Sequence, residues 1–391
     1  MHGTFPSQEI ARLVKEGAIS SSAGIAPEQI QPSSLDLTLS VEAYSMTGSL
    51  LPLGGEKVRD LIERFARYPI SLREPAVLVR DNVYLVRMRE SLNLPQGVAA
   101  YANNKSSTGR IDLQTRVICD RNPRYDRVPE GYAGELWLEI IPKSFDVKVR
   151  GGDSVNQCIL YQGRTFLDAA ELAANLSPRG ERQRTNFPNG KMRELASVGP
   201  LLYDRHGKRY AGEGAYTPLG DAGLLMTLDL DQEIVGFVAK KSLKPKPIDL
   251  AALGKHDPED YFEPIKKPKD GALFLSQNAF YIFSTYEYIS VPPDYAVEML
   301  PYDTSAGEFR AHYAGFFDPG FGYGAKGEVK GTPAVLEVRP YEDDLIVRHR
   351  QPVCKMAYEK LTAPPDKLYG VGVKSNYAAQ RGPRLSKFFK G

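Results

Sequence analysis

The sequence is short of the features that mark a secreted, membrane-bound or metal-built protein. Its 391 residues hold three cysteines, Cys119, Cys158 and Cys354. They are odd in number and far apart, which argues for free thiols in a reducing cytoplasm. The five histidines, His2, His206, His256, His312 and His349, are scattered, and no cysteine pair has metal-ligand spacing. No run approaches the length of about 18 apolar residues that a membrane span needs. The opening stretch, "MHGTFPSQEIARLVKEG", lacks the apolar core of a signal peptide. Charge of one sign is missing as well. The 50 basic and 48 acidic residues leave a net charge of +2, so no global field exists to hold a nucleic-acid backbone. These absences predict a cytoplasmic globular protein that engages neither nucleic acid nor membrane.

What is present reads as β structure. Short apolar runs bounded by Gly, Pro and Asp dominate: "LDLTLS", "VYLVRM", "ELWLEII", "FDVKV", "LLMTLDL", "FYIFS", "AVLEV" and "LIVR". These are strand signals, and the 35 glycines and 29 prolines suit many turns. Helical signals are few. Ser7 is a candidate cap for "QEIARLVKEG", with Ile10, Leu13 and Val14 on one face, and "GEKVRDLIERFARY" is a second amphipathic segment. A chain of this length defaults to two domains.

Internal similarity sharpens that division. "NNKSSTGRI" is echoed by "YDTSAGEF", with Ser106 mapping to Thr304, Ser107 to Ser305, Gly109 to Gly307 and Arg110 to Glu308, an offset of 198 residues. The same offset pairs Asp120 with Asp318, Glu139 with Glu337 and Pro142 with Pro340. The expected organisation is two β domains of one fold, 1–165 and 215–391, joined by a connector over 166–214 that is rich in Arg, Gly, Pro and Asn.

The copies differ where chemistry would sit. The first keeps the polar run Lys105, Ser106, Ser107 and Arg110, while the second has Glu308 in place of the arginine, a charge that would repel phosphate. The second has a compact glycine hairpin, "AGFFDPGFG", whose counterpart "RVICDRNPRYDRVPEGYAG" is longer and irregular. By itself the polar run reads either as a hydrogen-bonded surface turn or as a small anion site.

Together, "QPSSLDLTL", "KSSTGR", "AGFFDPGFG", the "LE" strand ends and the tail "LYGVGVKSNYAAQRGPRLS" resemble dCTP deaminases of the trimeric dUTPase-like superfamily. The resemblance implies a mostly-β, distorted jelly-roll-like barrel in each half. It implies hydrolytic deamination of dCTP to dUTP and ammonia, with magnesium accompanying the triphosphate and no zinc. Zinc deaminases need an H-x-E and a P-C-x-x-C, and neither occurs here. Water must then be activated by a carboxylate. The alternatives within the resemblance are dUTP diphosphatase or a bifunctional enzyme releasing dUMP. A non-catalytic nucleotide-binding regulator is a third alternative.

The same resemblance assigns roles. Glu337, with Glu139 as the alternative, shuttles protons, although a strand-end glutamate is otherwise a salt-bridge partner. Ser106 orients the water or the base edge, Ser107 binds phosphate, and Arg110 and Lys105 supply positive charge. Ala314 and Gly315 let backbone groups approach the base, Phe316 is an aromatic candidate near the sugar, and Asp318 is either turn chemistry or a substrate contact. Tyr369, Tyr377, Gln380, Gly382 and Ser386 fall on nucleotide-closing positions of the tail. Asn376 stands where the family usually has lysine, and Lys374 is the nearest replacement. Asp36 and Asp229, in the paired "LDL" strands, read as structural. The resemblance places each site between neighbouring copies of the fold, which implies a homo-oligomer, with a homotrimer favoured.

Overall fold

The computed structural model describes residues 2–176, 183–186, 192–195, 199–212, 219–220, 223–241, 246–302, 311–312, 315–341, 343–373, 375–378 and 380–391. The chain forms two compact units. The first comprises Met1–Gly163, Ala239–Glu263 and Leu385–Gly391, and the second comprises Arg164–Val238 and Pro264–Arg384. Two short segments from late in the chain, 239–263 and 385–391, therefore belong to the first unit. Both units are mostly β with few, short helices.

In the first unit the strands run Ala66–Ser71, Leu39–Met46, Tyr84–Asn93, Ala133–Pro142, Leu113–Cys119 across one antiparallel sheet. A second sheet pairs Asn156–Gln162 with Gly3–Thr4, Leu35–Leu37 and Ala99–Asn104. The central strand Ala133–Pro142 is buried on both faces over most of its length, which its unbroken run "LWLEII" required. Its Trp137 is fully buried, with Met46, Val58, Ile62, Leu85 and Ile118 around it.

The second unit orders Ile234–Ala239, Tyr281–Ile289, Thr332–Val338 and Ala311–His312 in one sheet. Its other sheet orders Gly223–Thr227, Pro352–Lys360, Tyr295–Pro301 and Phe316–Phe317. The segment expected as connector contributes a helix, Ala169–Leu176, whose Leu172 and Leu176 join the second unit's core beside Leu228, Phe283 and Met356.

Both amphipathic segments form helices, Ser7–Lys15 and Val58–Phe65. Ser7 is not the cap of the first. Pro6 holds that position without a side-chain bond, and the Ser7 hydroxyl donates to Gln8 Oε1 instead. A proline just ahead of the first turn has no N–H to leave unsatisfied, so the helix starts one residue earlier than the serine predicts.

A buried glutamate ties each unit together at a matching place. In the first, Glu90 accepts from the Thr38 N–H at 2.9 Å and the Thr38 hydroxyl at 2.7 Å. In the second, Glu287 accepts from the Thr227 N–H and hydroxyl, both at 2.7 Å. Each clasp joins a threonine at a strand end to the neighbouring strand and satisfies a carboxylate that would otherwise be costly to bury.

Candidate active site

The polar run of the first unit folds as a single helical turn, Ser106–Gly109. The Thr108 and Gly109 N–H groups return to the Lys105 carbonyl at 2.9 and 3.0 Å. The Thr108 hydroxyl reaches the carbonyls of Lys105 and Val155, both at 2.9 Å. Ser106 is exposed, whereas Ser107 and Arg110 are buried, each 3% exposed. A fully buried amide network fixes the flanks of the turn. Asn104 donates to the Leu113 carbonyl and accepts from the Thr115 N–H and hydroxyl, and Asn156 donates to the Thr115 hydroxyl.

Lys105 is ion-paired with Asp36 and lies 3.4 Å from the Ser154 hydroxyl. The C-terminal segment closes over the same turn. Ser386 donates its hydroxyl to the Ser107 carbonyl at 2.7 Å. Phe389 packs edge-on against Tyr261 and Phe262, which pins this segment within the unit. Lys387 lies close enough to Lys105 that burial and the neighbouring ammonium lower its pKa, against the opposing pull of Asp36. Ser386 was expected at a nucleotide-closing position of the tail, but its contact with residue 107 was not, and Lys387 was not singled out, because nothing local connects either to that turn.

Glu139 is 3% exposed and sits opposite Leu85 and Arg116 in its sheet. Burial raises its pKa, opposed by the nearby Ser49, the charge of Arg116, the Tyr125 hydroxyl and the Leu50 backbone. The Tyr125 bond is 3.3 Å long, and Arg116 stacks over the Tyr125 ring at 4.9 Å. Next along the chain, Asp126 takes a left-handed backbone, φ 61°, and its carboxylate accepts from the Val117 N–H at 2.8 Å. Desolvation pushes the carboxyl of the half-buried Asp126 up to about 7. Ser49, Tyr125 and Asp126 are further residues around the glutamate that sequence reasoning missed. The irregular stretch "RNPRYDRV" was the only signal for the last two.

Glu337, 4% exposed, holds the matching place in the second unit, opposite Ile282 and His312. In the hairpin beyond it, the Gly315 carbonyl accepts from the Met299 N–H at 3.3 Å, and the Asp318 carbonyl accepts from the Phe321 N–H at 3.1 Å. Phe316 is buried and paired with Glu298 across the sheet. Gly320 has φ +99°, and a Cβ there would lie 2.8 Å from the Tyr369 nitrogen, so only glycine allows the tail to seat. Tyr369 donates its N–H to the Pro319 carbonyl at 2.8 Å, and its ring lies 5.5 Å from that of Phe321. Further along, Tyr377 is buried and Gln380 donates to the Pro333 carbonyl at 2.7 Å, on the strand that carries Glu337. Ala314, Lys374 and Glu308 lie outside the described residues. Among the described residues no three His, Cys, Asp or Glu side chains gather as a metal site, and no helix is long and apolar enough to cross a membrane.

Each of the two mostly-β units thus carries a buried glutamate on a strand of its main sheet. Residues 1–164 match the family model for the 2'-deoxycytidine 5'-triphosphate deaminase N-terminal domain, and residues 192–389 match that for its C-terminal domain. The chain belongs to the dCTP deaminase family. A relative named "dCTP deaminase, dUMP-forming" from Methanothermobacter thermautotrophicus is 30% identical over 201 residues, covering 48% of this chain and 93% of the relative. One of the same name from Methanosphaera stadtmanae is 26% identical over 193 residues, 48% of this chain and 93% of the relative. The crystal structure of 2'-deoxycytidine 5'-triphosphate deaminase from Agrobacterium tumefaciens superposes with a TM-score of 0.79 at 33% identity, covering 93% of this chain and 99% of that one.

Proposed function

We propose that the chain hydrolyses the cytosine 4-amino group of magnesium-bound dCTP, releasing dUTP and ammonia, with Glu337 as the proton shuttle. Water adds to C4 as Glu337 takes its proton. That proton passes to the ring nitrogen, and the second hydroxyl proton goes to the departing amine, so dCTP and water give dUTP and ammonia. Ser106, the exposed hydroxyl of the polar turn, orients the water or the base edge. Arg110 and Ser107 stabilise the phosphate-bearing substrate, and Lys105 adds positive charge. No zinc takes part in this scheme.

The observation that carries the choice of glutamate is the seat of the tail. Gln380 donates to the Pro333 carbonyl on the strand that carries Glu337, and the Tyr369 N–H donates to the Pro319 carbonyl of the glycine hairpin. The nucleotide-closing segment thus lies with the second unit's glutamate, and we read Glu139 as the structural one. We also read the two units as copies of one dUTPase-like, jelly-roll-like fold that works as a homo-oligomer, with a homotrimer favoured. The matched Thr38–Glu90 and Thr227–Glu287 clasps support the two-copy reading.

A second reading, dUMP formation by further hydrolysis of dUTP, is favoured by the names of the archaeal relatives. Incubation with magnesium and either dCTP or dUTP, followed by separation of products, decides. dUTP accumulating from dCTP supports the first reading, and dUMP with pyrophosphate supports the second. An unchanged substrate supports a non-catalytic regulator.

A further inference from the structure

Each unit carries a small two-stranded ribbon beside its main sheets, and the two ribbons end differently. In the first unit, Ala76–Leu78 pairs with Val147–Val149, with Lys148 opposite Val77. A third strand from the same unit, Ile248–Asp249, lies along the other edge of Val147–Val149. Asp249 meets Lys148 at 3.2 Å and is also ion-paired with Arg150. That edge is filled, and its charges are matched.

In the second unit, Ala272–Leu275 pairs with Leu345–Arg348, with Ile346 opposite Phe274. Among the described residues no third strand joins this ribbon. Ile346 is 69% exposed and Phe274 58%, a cross-strand apolar pair facing solvent. An open edge and an exposed apolar pair on one ribbon are what soluble proteins ordinarily avoid.

The sequence along that edge, Asp344-Leu345-Ile346-Val347-Arg348, alternates. Asp344, Ile346 and Arg348 are exposed, and Val347 is buried. We propose that this edge is an interface with a second copy of the chain, the two Leu345–Arg348 strands pairing antiparallel about a two-fold axis at Ile346. With Ile346 opposite its mate, Asp344 falls opposite the partner's Arg348 and Arg348 opposite the partner's Asp344. The outward face then carries an apolar centre, widened by Phe274 from each copy, between two opposite-charge pairs. Asp344 is held at the strand start by accepting from the Gln277 N–H at 2.7 Å. Other registers lose the match: centring on Leu345 sets Asp344 against an isoleucine. The strand in the first unit could not pair this way, because Lys148 would oppose Lys148. The self-complementary charge order selects a second copy as the occupant.

Directly opposed residues in an antiparallel pair have Cα atoms roughly 4.5–5.5 Å apart, within disulfide reach. Ile346→Cys should therefore cross-link to itself under mild oxidation, and most of the chain should run as a dimer on a non-reducing denaturing gel. The three native cysteines are buried and do not compete. Val77→Cys, which is exposed on the other ribbon, is the collision control and should stay uncross-linked. In sedimentation velocity Arg348→Asp should halve the mass of the assembly, and adding Asp344→Arg should restore it. Cross-linking of Ile346→Cys no greater than the Val77→Cys control overturns the proposal. So does a mass unmoved by Arg348→Asp, or one that the double swap fails to restore.

Discussion

Glu139→Gln and Glu337→Gln are the same chemical change at matching places, and they should behave differently. At Glu139 the substitution trades a carboxylate for an amide whose oxygen can still accept from the Tyr125 hydroxyl, 3.3 Å away. At worst one hydrogen bond is lost, about 1 kcal/mol, partly offset because a buried charge disappears. The urea midpoint should shift modestly, and turnover should fall less than about tenfold. At Glu337 the substitution preserves shape and removes the proton shuttle. A loss on the order of 100-fold or more in kcat, about 2.7 kcal/mol of barrier, is expected with nucleotide binding largely kept. The assay is ammonia release at saturating magnesium-dCTP, with urea unfolding of both variants alongside. A folded but inactive Glu139→Gln beside an active Glu337→Gln would refute the assignment and make the first unit's own glutamate the base.

The polar turn, the buried carboxyls and the proposed zinc-free scheme each give a further test. Arg110→Glu should abolish turnover, read on protein that still unfolds cooperatively, since Arg110 is 3% exposed; wild-type rates from such protein would exclude the turn from the site. Glu287 is pushed up to about 7 by burial, above its unfolded value, so its contribution to stability is full in acid and lost as pH rises through about 4.5 to 7. Glu287→Gln, which mimics the protonated form, should gain on the wild type by on the order of 3 kcal/mol between pH 4.5 and pH 8; parallel urea-stability curves would contradict the buried-carboxyl reading. Active protein purified and dialysed against a zinc chelator should keep its deaminase rate with magnesium present. Stoichiometric zinc whose selective removal stops turnover would sink the carboxylate mechanism.

The strands were legible because period-2 alternation and apolar runs are local signals. "ELWLEII", "AVLEV" and "LIVR" became Ala133–Pro142, Thr332–Val338 and Leu345–Arg348. The polar run and both glutamates could be picked out because each carries its chemistry in a few adjacent residues. What could not be read was every contact between distant stretches. Ser386 on the Ser107 carbonyl joins residues 279 apart in sequence, and Asp36 on Lys105 joins residues 69 apart. Ser49 and Leu50 come near Glu139 from a loop whose composition gives no hint of it. The Thr–Glu clasps escaped notice because threonine and glutamate in strands are ordinary residues until burial pairs them.

The pattern of likeness and difference between the units follows from what each position must do. A carboxylate buried in a sheet centre is tolerated only while its donors stay in place, so Glu90 and Glu287 keep the same threonine partner arrangement. A ribbon edge is under no such constraint, since water can satisfy it. There the units diverge, one edge meeting a strand of its own chain through Asp249 and the other presenting Asp344, Ile346 and Arg348 outward. The glutamates of the central strands sit in different company as well. Glu139 lies beside the Tyr125 hydroxyl and the Arg116 guanidinium of its own unit, whereas Glu337 shares its strand with Pro333, whose carbonyl holds Gln380 of the tail. In the proposed reaction the tail's seat on that strand, more than burial or strand position, separates Glu337 from Glu139.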